Sequence, residues 1–281
     1  MPDATKLLTT VRKAIAYTRG TPILRGRVVH LVDASDVLAV GDLHGNIGNF
    51  QRILKLADLT NNPHRHIVMQ ELIHGNFRYA DGSDKSHQAV DLWCALKCQY
   101  PNRVHFLPGN HELAQRTNRL IAKGDLDLNA NFLDGVRAAY GPRADEIYTA
   151  YLELFAAAPL AVRTPNRVFL SHSLPPAATL DKLDLSGLEQ DSDGTNDGDP
   201  HGLVYALVWG RDVSAQSAAA FLQAVDADLL ITGHIPCEQG FAVPNDRQLI
   251  LDCLGSPAAC CLVPAVGPIS HADLINRVQF L

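Results

Sequence analysis

The sequence predicts an α/β fold, and three observations carry the prediction. Short apolar runs alternate with stretches of helical spacing, the order that pairs strands in parallel through helical crossovers. With 47% hydrophobic and 19% charged residues, the 281-residue chain can bury a sizeable core. Five polar turns carrying Asp, Asn, Glu or His each follow an apolar run, and ligands gather at such carboxyl ends of strands.

The elements follow in order. Residues 1–20 place Lys6, Arg12, Lys13 and Arg19 among apolar residues, an amphipathic helix over about 4–19. Val28–Val32 and Val37–Val40 are strand-like. Ile47–Leu59 is helical, with Ile47, Phe50, Ile53, Leu54 and Ala57 on one face. His66–Met69 is a short strand, Gln88–Tyr100 a helix and Val104–Leu107 the next strand. Leu113–Ala122 and Asp145–Ala157 read as helices, Val168–Leu170 as a strand, Ala215–Ala224 as a helix and Leu229–Thr232 as a strand. In the tail, Leu249–Leu254 and Ala259–Val263 are β-rich and broken by Gly255 and Pro257, which predicts a hairpin. No repeat or domain-sized linker interrupts residues 1–281, so one domain is expected, its core over about 28–263.

Composition excludes some functions. The net charge of −6 argues against a nucleic-acid backbone as the main partner. Phosphate esters stay open, because a bound metal supplies local positive charge. No apolar run reaches the roughly 18 residues of a membrane span. No signal-peptide pattern is seen, and a reducing cytoplasm is the expected compartment. Cys94, Cys98, Cys237, Cys253, Cys260 and Cys261 fit neither a zinc ribbon nor a disulfide framework. Cys94 and Cys98, four apart on a helix, read as core packing, and Cys237 as a packed neighbour of His234. Residues 188–202 hold five acids, three glycines and one proline, and read as a solvated acidic loop. Asp191, Asp193 and Asp197 invite a calcium-loop reading, but no Glu stands at the twelfth position.

The five turns hold the chemistry. They are Gly41-Asp42-Leu43-His44-Gly45-Asn46, Gln70-Glu71-Leu72-Ile73-His74-Gly75, Gly109-Asn110-His111-Glu112, Ser171-His172-Ser173 and Gly233-His234-Ile235-Pro236. Together they offer hard oxygen and imidazole nitrogen, a metal-ligand inventory. Asp-x-His puts two ligands on alternate residues, so both can face one ion. Gly-Asp-x-His-Gly arises by chance in about one in several hundred chains of this length. Gly-Asn-His-Glu is similarly rare. His172 and His234 gain weight from their places in the series, since a lone histidine after a strand is more often a satisfied core or surface group.

In that order the motifs resemble the calcineurin-like metallophosphoesterases, nearest to the phosphoprotein phosphatase branch that includes diadenosine-tetraphosphatase-like members. The resemblance spans about residues 36–260. It implies a sandwich of two mixed β-sheets flanked by α-helices, with two divalent metals at the strand ends. It implies Asp42 and His44 on the first metal, and Asn110, His172 and His234 on the second. His111 becomes the general acid, or a charge stabiliser, at the leaving oxygen. Manganese is the first choice of metal, with iron or zinc as alternatives.

The second motif departs from the family's Gly-Asp-x-x-Asp-Arg-Gly. Glu71 stands at the bridging position with one extra methylene. His74 stands where an Asp should orient the catalytic histidine; it accepts a hydrogen bond from His111 or adds a metal ligand. Gly75 replaces the phosphate-gripping Arg. Arg78, or Arg211 in Val208-Trp209-Gly210-Arg211-Asp212, is a candidate replacement, while Arg116 and Arg119 read as a solvated helix face.

The expected activity is dinuclear metal-dependent hydrolysis of phosphomonoesters, with a phosphoprotein (Ser/Thr) or small phosphoester as partner. A nucleotide pyrophosphatase of the diadenosine tetraphosphatase type is the second reading. With 6% aromatics, the sequence shows no obvious base-stacking cluster. A non-catalytic binding protein on a phosphatase scaffold is the third.

Overall fold

Residues 3–190 and 194–281 are described by a computed structural model. Strands run β1 Leu24–Arg25, β2 Val28–His30, β3 Asp36–Asp42, β4 Arg65–Gln70, β5 Val104–Leu107, β6 Ala122–Lys123 and β7 Leu126–Asp127. They continue as β8 Ala161–Arg163, β9 Val168–Ser171, β10 Leu229–Thr232, β11 Phe241–Ala242, β12 Gln248–Leu251, β13 Ala259–Pro264 and β14 Val278–Phe280. The α-helices are α1 Ala4–Arg19, α2 Ile47–Ala57, α3 His87–Gln99, α4 Asn110–Thr117 and α5 Leu128–Tyr140. After them come α6 Ala144–Ala157, α7 Ala177–Leu180, α8 Leu203–Trp209, α9 Ala215–Ala224 and α10 His271–Ile275.

Two mixed sheets form. One has the order β1-β2-β8-β9-β10-β12-β11, the other β14-β13-β3-β4-β5. Strands β3, β4 and β5 are parallel, as are β9, β10 and β12. Side chains alternate between faces along a strand, which splits each strand's apolar residues in two. Val37 and Ala39 of β3 face Leu170 of β9, Ile231 of β10 and Leu249 of β12, and this cluster is the core between the sheets. Leu38 and Val40 point the other way, into a larger core with α1, α3, α5 and α6. On the far side Phe169 and Leu230 pack against Phe221 and Leu222 of α9. The result is the expected sandwich of two mixed sheets flanked by helices. The carboxyl ends of β3, β4, β5, β9 and β10 feed the five polar turns.

Three expectations need correction. The tail is not a hairpin: β12 lies parallel to β10 in one sheet, and β13 lies antiparallel to β3 in the other. Strands buried on both faces carry no mark of which neighbour they join. The crossing is held by side chains of the first motif and of α2, since Asn46 donates to the Leu254 carbonyl and Asn49 to those of Cys253 and Gly255. Second, the helix expected over Leu113–Ala122 runs Asn110–Thr117. Asn118 ends it in the left-handed region at φ 54°. Third, the acidic loop is not solvated throughout. Asp197 is 4% exposed and accepts from Arg27 at 2.8 Å and from Arg116 at 2.7 Å. Asp191 and Asp193 lie outside the described residues. The six cysteines are unpaired, and Cys94, Cys253, Cys260 and Cys261 are buried.

Candidate metal centre

The backbone that delivers the site is unusual. His44, Glu71, His74 and His234 have φ of 43°, 33°, 61° and 67°, a region that side-chain-bearing residues rarely adopt. Each stands just past a strand, where the turn aims its side chain across the sheet end. Such conformations persist only where the surroundings enforce them, and they cluster at functional sites.

Glu71 is the centre of the array. Its Oε2 lies 3.2 Å from His44 Nε2 and its Oε1 3.7 Å from His172 Nε2. The His111 backbone N–H donates to Glu71 Oε1 at 2.9 Å. His172 Nδ1 is 3.5 Å from Asp42 Oδ1, and His172 Nε2 is 3.4 Å from Asn110 Oδ1. The rings of His172 and His234 are 5.0 Å apart, and those of His44 and His111 5.2 Å. Two triads of donor atoms, each within 4.8 Å, share Glu71: His44, Glu71 and His111, and Asp42, Glu71 and His172. The extra methylene of Glu71 is accommodated because Gly109 lies beneath its head; a Cβ there would come 2.1 Å from Oε1.

These donors fit divalent cations. Asp42 Oδ1, His172 Nδ1 and His234 Nε2 are buried without a hydrogen-bond partner. Burial raises the pKa of both Asp42 and Glu71 well above the ordinary carboxylate value, and the Glu71 charge adds to the effect on Asp42. A site that crowds carboxylates and orphaned imidazole nitrogens is short of positive charge. His44 Nδ1 is 2.8 Å from the Ile73 carbonyl, which can only accept, so the ring presents a bare Nε2 to the centre.

Glu112 has a role that the tetrapeptide does not disclose. It accepts from the backbone of Leu72 at 2.8 Å, Ile73 at 3.1 Å and Gly109 at 2.8 Å. It thereby clamps the second motif to the third. His74 does stand beside His111, with Nδ1 atoms 2.7 Å apart. Its Nε2 is 2.8 Å from Gln115 Oε1, so neither ring nitrogen is left for a metal. Gln115 Nε2 donates to the Asn129 carbonyl at 3.2 Å, which fixes the amide with Oε1 toward His74. His74 Nε2 is then the donor, its Nδ1 the acceptor, and His111 Nδ1–H donates to it. His111 is left with Nε2 toward the site. Burial lowers the pKa of His74 to about 4. Gln115 stands four residues after His111, a same-face spacing that was readable in the sequence.

Of the two candidate arginines, Arg78 is engaged elsewhere, with Asn131 and with Asp84 at 3.5 Å. Arg211 has no carboxylate within 4 Å among the described residues, and its charge reaches the site. After burial it is the largest influence holding His234 at about 3. Gly75 cannot be the clamp, because a Cβ there would lie 1.7 Å from the His44 carbonyl oxygen.

Arg211 also lines a cavity of about 390 Å³ with Lys182, His201, Tyr205 and Trp209. Tyr205 and Trp209 stack at 5.6 Å and 18°. Arg119 covers both rings, at 4.8 and 5.8 Å, and so is not on a solvated face. Arg116 is taken up by Asp197. The aromatic pair is a stacking cluster that composition concealed; its i, i+4 spacing was the available signal.

A two-sheet sandwich with a carboxylate–histidine cluster at its strand ends defines a metal-dependent phosphoesterase scaffold. Residues 35–238 match the calcineurin-like phosphoesterase family, and the chain belongs to it. It is similar to a probable serine/threonine-protein phosphatase of Encephalitozoon cuniculi, 26% identical over 83% of this chain and 50% of that one. It is also similar to serine/threonine-protein phosphatase 5 of Solanum lycopersicum, 24% identical over 75% of this chain and 36% of that one. The chain thus spans half or less of these relatives. Its fold matches a serine/threonine phosphatase from Saccharomyces cerevisiae with similarity to human phosphatase PP5. The TM-score is 0.69 at 16% identity, covering 99% of this chain and 89% of that one. It also matches a cold-active protein-tyrosine phosphatase of a Shewanella species, with a TM-score of 0.60 at 13% identity, covering 86% and 78%. Members of the family use divalent metal ions, and among the described residues no helix is long and apolar enough to cross a membrane.

Proposed function

We propose that the chain is a phosphomonoesterase acting on phosphoserine or phosphothreonine side chains of proteins. The observation that carries this is the convergence of Asp42, His44, Glu71, Asn110, His172 and His234 around buried donor atoms that lack partners. These six hold two divalent ions, with manganese as first choice and iron or zinc as alternatives. Such ions supply the Lewis acidity that activates water and offsets phosphoryl charge. His111 takes up a proton from solvent at Nε2 and passes it to the leaving oxygen, while His74 orients the ring as the acceptor at Nδ1. Arg211 grips the phosphoryl group in place of the absent clamp. Six unpaired cysteines support a reducing cytoplasm.

One observation favours a second reading, a nucleotide pyrophosphatase. The Tyr205–Trp209 stack beside Arg211 offers a platform for a base. The test is a phosphopeptide and a dinucleoside polyphosphate assayed side by side on chelated protein, with manganese, zinc or iron restored and metal content measured. Metal-dependent turnover of the phosphopeptide is expected. Arg211→Ala should raise KM about tenfold with metal content unchanged. Two bound ions with no turnover of either substrate would leave the binding-protein reading as the answer.

A further inference from the structure

Gln70 precedes Glu71 at the end of β4, where the related motif has glycine. Its side chain is fully buried, at 0% exposure, and neither its Oε1 nor its Nε2 has a hydrogen-bond partner. Native proteins keep such an amide where something other than the polypeptide satisfies it. The β3–β4 register pairs Gln70 with Asp42, which puts both side chains on one face of the sheet end. Glu71 then adopts φ 33°, which breaks the alternation and turns the next side chain inward as well. Both oxygens lie against Gly233: a Cβ there would lie 2.2 Å from Asp42 Oδ1 and 3.2 Å from Gln70 Oε1. Asp42 Oδ1 is itself without a partner.

We propose that Gln70 is a further ligand residue of the metal centre, contributing its Oε1 beside Asp42 Oδ1. The inference rests on the metal-centre reading above. An amide oxygen is a hard donor that adds a ligand without adding charge, in a site already crowded by Asp42 and Glu71. An added oxygen donor favours six-coordinate ions such as Mn²⁺ over tetrahedral Zn²⁺. Gln70 is thus a selectivity residue.

The test titrates Mn²⁺ and Zn²⁺ separately into metal-free protein by calorimetry, and reads the thermal midpoint of the metal-free protein. Gln70→Met keeps the volume and removes the donor. It should weaken Mn²⁺ binding by tenfold or more and Zn²⁺ binding less. The metal-free midpoint should hold or rise, since an unpaired buried amide is gone. Gln70→Gly, which restores the residue of the related motif, repeats the measurement in case methionine misfits. Unchanged Mn²⁺ affinity and an unchanged Mn/Zn ratio in both variants, with two ions bound by the wild type, would overturn the assignment. The amide would then serve only buried water. A wild-type chain that binds neither ion would overturn the metal-centre reading and this inference with it.

Discussion

Two groups of histidines occupy this molecule, and they obey different rules. His66 and His105 lie on β4 and β5, inside the sheet. Their rings stand 8° from parallel and their facing nitrogens, Nδ1 and Nε2, are 3.0 Å apart. They are buried in regular strand, and each answers a hydrogen-bonding need of the other. His44, His74, His111, His172 and His234 are also mostly buried, yet three of the five have positive φ, and His172 and His234 keep a nitrogen without a partner. Burial does not separate the two groups. What separates them is that the first pair satisfies itself within regular strand, whereas the second group includes strained turns at His44, His74 and His234 and unpartnered nitrogens on His172 and His234.

The comparison breaks most sharply at Glu71. Glu71→Ala should remove metal and activity together, with a loss on the order of 1,000-fold, because several kcal/mol of transition-state stabilisation pass through the centre. Metal analysis and turnover on one sample measure both. Full activity with two ions retained would sink the bridging role. His74→Ala is expected to cost about 10- to 100-fold in kcat with metal content intact, since it acts through His111. His74→Asp should recover part of that loss, and equal kcat in both variants would argue against an orienting role.

In the other group the effect falls on folding alone. His105→Val leaves His66 Nδ1 unpaired and should cost about 1–3 kcal/mol in denaturant unfolding, with kcat unchanged. Adding His66→Val should return most of the loss. A further effect is on pH. Burial lowers the pKa of His66 from 6.5 to about 4. An unfolded chain therefore takes up this proton near pH 6.5 and the folded one only near 4. The His66 contribution is complete above pH 6.5 and fades as the pH drops through that window. The double variant should show a shallower loss of stability there than the wild type.

Much of this was readable from the chain. Asp42, His44, Asn110, His111, His172 and His234 were legible as candidates because rare residue types follow apolar runs, and both features survive in one dimension. Gln70 and Glu112 were not, and Gln115 left only its spacing from His111. An amide or carboxylate acquires its role from what surrounds it: Glu112 from three backbone N–H groups on two motifs, Gln70 from having no partner. The β12–β13 error has the same origin. A strand buried on both faces shows that it is interior, but its partner depends on sheet-to-sheet crossings that local pattern does not encode. The two sheets themselves were expected only through the family resemblance.

Gly75 bears on how this lineage can change. Where relatives of the motif carry arginine, this chain has backbone pressed against the His44 carbonyl, with 1.7 Å left for a Cβ. Any side chain there must displace the turn that holds His44. Placing an arginine there by one substitution would therefore disturb the turn that carries His44. Position 75 is thus closed to any side chain unless the His44 turn moves with it.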